Sequence, residues 1–329
     1  MSQDIRDTGN ALIEGVTKAW GQLVQQIDEL LGWSPGTVPA PGGRKPSVMA
    51  DSELRAAVRG AATGLIGSVD PARQAHTFVI IDPRWRFNLP ATVPAHLQHM
   101  FIEASDAFGL GIVGLDHHAS SVDLAVVGRL AEILARARWL VEPADAAQRN
   151  DRGYALAEEE ISDLRAAAGR AQDAGGADQS GLAGEVADRA ATMAARLAEL
   201  RQEDGLGEAR LPKPRKLLRA YLPGNDVELF ALLTAAGSRP AVPPTALFYR
   251  EAGTGDALYR FQRQHLTRAY WLARATALYA GICAAAGPVL GRADWQEPVA
   301  LAESRLRPLA LEIGQRYQQR LQRGLHPGL

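Results

Sequence analysis

The chain has 329 residues and a mass of 35.3 kDa, room for one large domain or two of ordinary size. At 47% apolar, 22% charged and a net charge of −1 it is neither disordered nor fibrous, and at 6% aromatic it favours helices over sheets. The lone Cys283 excludes a disulfide framework and any multi-cysteine metal site, and no basic-then-apolar leader opens the chain, so a cytoplasmic protein is expected.

Residues 8–31 place Leu12, Ile13, Val16, Trp20, Leu23, Val24, Ile27, Leu30 and Leu31 at helical spacing, an amphipathic helix ended by Gly32. Four prolines and three glycines then fall in the thirteen residues from Ser34 to Pro46, a composition that only a spacer tolerates. The division expected is therefore an N-terminal helix over 1–32, a linker over 33–50 and a helical core domain over 51–329. The tethered helix must bury Trp20, Leu23 and Ile27 against its own body or against a second copy, which would make a homodimer.

Asp51 is expected to cap a helix reaching about Gly67. Thr77 to Ile81 is the one compact β-branched run, a short strand or a buried extended segment. From Asp82 to Pro94 a loop is expected, with Trp85 and Phe87 folding back onto the core. Pro94 then opens a helix to about Gly109. The most regular helix spans Ser120 to Val141 and is stopped by Pro143. Helices over about 153–172 and 182–203, rich in Ala, Glu and Arg, read as a peripheral hairpin occupying 172–204 with its turn region. Short helices near 215–221 and 225–236 and long ones near 255–286 and 296–323 complete an all-α, single-core irregular bundle. Ala275 to Gly291 carries no charge, yet it is Ala- and Gly-rich and contains Pro288, so a buried central helix is expected and not a membrane span.

Three groups of residues could carry chemistry. His96, His99 and Glu103 share a helix face, and His117 and His118 follow soon after. Imidazoles and carboxylates from adjacent helices can hold a divalent metal, although capped or buried histidines give the same pattern. Arg129 and Glu132, one turn apart in an apolar helix, suit a structural ion pair. From Gly205 onward 17 Lys and Arg stand against 9 Asp and Glu, a balance of +8, which leaves −9 for the acidic front. Within that rear, Lys213, Arg215, Lys216 and Arg219 crowd one short stretch, and Arg316, Arg320 and Arg323 share a face of the last helix. Such stripes serve either solubility or an anionic partner such as RNA.

The segment Arg260-Phe-Gln-Arg-Gln-His265 resembles the Arg-x4-His motif of HEPN-type helical ribonucleases and toxins, in a similar setting late in a helical chain. The resemblance implies metal-independent RNA cleavage, with Arg260 stabilising phosphate charge and His265 acting as general base on the ribose 2′-hydroxyl. The stretch from His96 to Pro143 is similar to helical proteins of high-GC bacteria, a likeness that implies no activity. The expected function is therefore a nucleic-acid-associated helical protein, a metal-independent ribonuclease needing no cofactor. The alternatives are a non-catalytic protein-interaction module and a metal-dependent enzyme at the histidines.

Overall fold

A computed structural model describes residues 49–69, 82–116, 120–174, 177–207, 209–222 and 265–325. Of these, 83% are helical, in eight helices, and no strand occurs among the described residues. The helices are α1 (Asp51–Val69), α2 (Val93–Asp116), α3 (Ser120–Val141), α4 (Ala146–Ala174), α5 (Ala177–Glu203), α6 (Pro214–Tyr221), α7 (His265–Ala286) and α8 (Gln296–Leu325). The opening helix, the 77–81 run and the helix near 225–236 lie outside the described residues.

Burial of α7 organises the bundle. Leu266, Tyr270, Leu272, Leu278, Tyr279 and Ile282 point in several directions around it and all are buried. A helix apolar on every side must be enclosed, and α1, α2, α3 and α8 all pack on it. Small residues let the neighbours come close: a Cβ on Gly281 would stand 3.1 Å from Leu134 of α3. Aromatic rings lock α7 to α2, with Phe108 stacked on Tyr279 at 4.6 Å and the Tyr279 hydroxyl 2.8 Å from Ser105 Oγ. No described helix is long and apolar enough to cross a membrane.

Local chemistry sets the helix ends. Glu53 reaches back to accept from the Ala50 backbone N–H at 2.7 Å, so Ala50 caps α1 and Asp51 is its first helical residue. Thr92 caps α2, which starts one residue before Pro94. That helix runs on through Gly109 and Gly111 to Asp116, past the end expected at Gly109. The reason is packing: a Cβ on Gly111 would come within 3.0 Å of Val126, so the glycine admits α3 and breaks nothing. Likewise α4 and α5 are longer than expected, and residues 177–181 belong to α5 rather than to the turn.

Two apolar clusters result. The larger joins α1, α2, α3, α6, α7 and α8, with Ala155 and Leu156 of α4. A smaller one joins α4 and α5 to the 82–92 loop through Trp85, Tyr154, Ile161, Met193, Leu197 and Leu200. Trp85 thus folds inward as expected, but onto the hairpin's own core.

Candidate functional site

The short helix α6 sorts its residues cleanly. Leu217 and Leu218 are both 2% exposed, buried in the main cluster, whereas Lys213, Arg215, Lys216 and Arg219 are exposed. Its C-terminal end is fastened to α3. Arg138 donates to the Tyr221 carbonyl at 3.0 Å, and the Tyr221 hydroxyl donates to Glu142 at 2.6 Å. The Tyr221 hydroxyl, and then Arg152 bonded to the same carboxylate, hold Glu142 below the usual carboxylate range. Lys213, Lys216 and Arg219 meet no carboxylate among the described residues. A rigid helix with one apolar side locked down therefore presents cations outward from fixed positions.

One member of the other basic stripe is engaged inside the fold. Arg316 of α8 pairs with Asp51 at 3.1 Å and also bonds Glu312, tying α8 to the first turn of α1. Spacing along one helix cannot reveal a partner 265 residues away. Arg316 is thus committed inside the fold, while the side chains of Arg320 and Arg323 lie outside the described residues.

His265 is the first residue of α7 and is exposed. Its pKa lies below the ordinary histidine value, first through desolvation and then through the nearby Arg55 and Arg268, with Asp51 opposing. A neutral imidazole can accept a proton, as the expected base would have to. Arg260 lies outside the described residues.

The histidine face of α2 divides on folding. His96 is 1% exposed and His99 is exposed. His96 Nε2 stands 2.9 Å from the Gly153 carbonyl of α4, which can only accept, so Nε2 carries the hydrogen. Nδ1 then offers a lone pair toward Glu160 Oε1, 3.9 Å away. Burial lowers His96 to about 4 and raises Glu160 to about 7. At pH 5–6 both are therefore neutral, and the contact is not an ion pair despite its distance. Glu160 Oε2 is buried without a hydrogen-bond partner among the described residues.

Glu103 is drawn the other way. Arg129 Nε donates to it at 2.6 Å, Arg129 also pairs with Glu132 at 2.9 Å, and Glu132 pairs with Arg136 at 2.8 Å. The expected Arg129–Glu132 pair is present as part of this longer seam between α2 and α3. Among the described residues no three His, Cys, Asp or Glu side chains converge as metal ligands would, and His117 and His118 lie outside them. Sequence reasoning passed over Glu160. It sits in the run Glu158-Glu159-Glu160, and only its place seven residues after Gly153, on the face toward α2, distinguishes it.

No family model matches the chain, and no curated protein or solved structure matches it.

Proposed function

We propose that this is a nucleic-acid-associated helical protein that engages single-stranded RNA through the outer face of α6. The observation that carries the reading is the set of Lys213, Lys216 and Arg219, which meet no carboxylate among the described residues and are exposed beside a buried inner face whose end is bonded to α3. Cations on a fixed backbone need no ordering of the main chain on meeting a phosphate chain, and each phosphate neutralised releases a counterion. Arg215 lies on the same exposed stretch and extends the face. His265, exposed and biased toward its neutral form, is the base of the ribonuclease version of this reading, with Arg260 as its partner.

Binding of a fluorescent single-stranded RNA, measured against salt, tests the proposal. Four phosphate contacts predict a slope of log K on log salt of about −3, at roughly −0.7 per contact. An affinity indifferent to salt contradicts it. Incubation of labelled RNA with EDTA, comparing the wild type with His265→Ala, tests catalysis separately. Equal cleavage by both proteins, or by neither, ends the catalytic reading and leaves binding standing.

A further inference from the structure

We infer that the cavity between the 82–92 loop and the outer face of α2 is a binding site for a small, neutral, planar molecule with one or two rings. Its volume is about 350 Å³, within the range of small-molecule sites and too small for a folded segment of another protein.

The loop side of the cavity is fixed in advance. Arg84 Nη2 bonds Asp82 at 2.8 Å, and Arg84 Nη1 bonds Asp204, beyond the end of α5, at 2.6 Å. Arg196 of α5 donates to the Arg84 carbonyl at 3.3 Å. Trp85 Nε1 donates to the Leu89 carbonyl at 2.6 Å, closing the loop on itself, and the Trp85 ring is buried in the hairpin core. Held this way, the loop does not need to be ordered when a ligand arrives, and the ordering cost of binding falls.

The lining sets the ligand's chemistry. Phe87, Leu89 and Pro90 face the cavity from the loop, and Ala95 and Ile102 from α2. Phe87 meets Trp85 edge-on, with ring centroids 4.9 Å apart, so an aromatic wall stands on the loop side. Such a wall favours a flat ring that can stack or meet it edge-on. Asp82 is the one carboxylate among the described lining residues, and it is already engaged by Arg84, which holds it below the usual range. An ionic ligand would therefore be desolvated without a counter-charge. Asn88 and His99 are exposed lining residues, and Gln98 is half-buried. They put hydrogen-bonding groups at the edge, where the polar rim of a heteroaromatic or an aromatic amide would lie.

Saturation-transfer NMR of the full chain with indole and with benzamide, both neutral, tests the site. The expected result is transfer to both probes, at least tenfold weaker transfer to the charged analogues benzoate and benzamidine, and loss of transfer in Ala95→Trp, which fills the space. Ser162→Trp, in the separate cavity between α4 and α5, should leave binding unchanged. A direct readout uses the wild type alone: nuclear Overhauser contacts from bound indole to the Ile102 methyl groups. Their absence, transfer to neither neutral probe, or full binding by a folded Ala95→Trp protein would overturn the inference.

Discussion

His96 and Glu160 face each other across the α2–α4 contact, and burial moves their protonation in opposite directions. Around Glu160 stand Arg136 and Arg129, which favour its charge, and Glu103 and Asp163, which oppose it; His99 and Arg136 act on His96. Glu160, at about 7 in the fold against an ordinary 4.5, contributes stability that is complete below pH 4.5 and lost as pH rises toward 7. His96, at about 4 against an ordinary 6.5, contributes stability that is complete above pH 6.5 and lost as pH falls toward 4. Between about pH 4.5 and 6.5 the two slopes oppose each other, and the wild type should change little. Glu160→Gln removes one slope, so its urea midpoint should fall as the pH drops from 6.5 to 4. His96→Asn removes the other, and its midpoint should rise over the drop from pH 7 to 4.5. Identical pH profiles for all three proteins would show that the pair is not buried as described. The two histidines of this face also show what spacing conceals. Three residues apart, they lie about 60° apart around the helix axis, enough here to put one in the core and one in water.

At the scale of elements, the glycines separate packing from propensity. Gly60 lies in the exposed interior of α1 with open space where a Cβ would go. Gly60→Ala should raise stability by about 0.5–1 kcal/mol. Gly287, just after α7, accepts no Cβ, which would stand 2.9 Å from the Cys283 carbonyl oxygen and 3.2 Å from that of Arg292. Those are backbone atoms that cannot step aside, so Gly287→Ala should cost about 1–3 kcal/mol. Thermal melting of the two variants checks the opposite signs. The same contrast explains which elements were legible in the sequence. Ser120–Val141 was readable end to end because its apolar spacing is unbroken and Pro143 follows. The second half of α2 was not, because Gly109 and Gly111 look like breaks until Ile66 of α1 and Val126 of α3 are seen against them. Helix α6 was legible as a basic cluster after a proline. That Leu217 and Leu218 anchor it depends on α3, which is distant in sequence. Leu217→Ala should therefore cost about 2–5 kcal/mol and weaken RNA binding while leaving every charge in place.

Over the whole molecule, an all-α bundle followed from composition and periodicity, but the use made of its charges did not. Arg316 looked equivalent to the cations of α6 and instead closes an ion pair between the two ends of the main body. Charge is legible in a sequence; whether a charge is already paired depends on the fold. The acidic front and basic rear are joined by the Arg316–Asp51 pair, whereas α6 keeps a cluster of exposed cations. The reading therefore turns on reversing three of them. Lys213→Glu, Lys216→Glu and Arg219→Glu together leave Leu217, Leu218 and the Tyr221 contacts untouched, so melting should be nearly unchanged. With single-stranded RNA at low salt, this triple variant should lose at least 100-fold in affinity, and its salt slope should fall by about 2, at roughly −0.7 per lost contact. A folded variant that binds RNA as the wild type does, with the same salt slope, would contradict the assignment of α6 as the RNA-binding face.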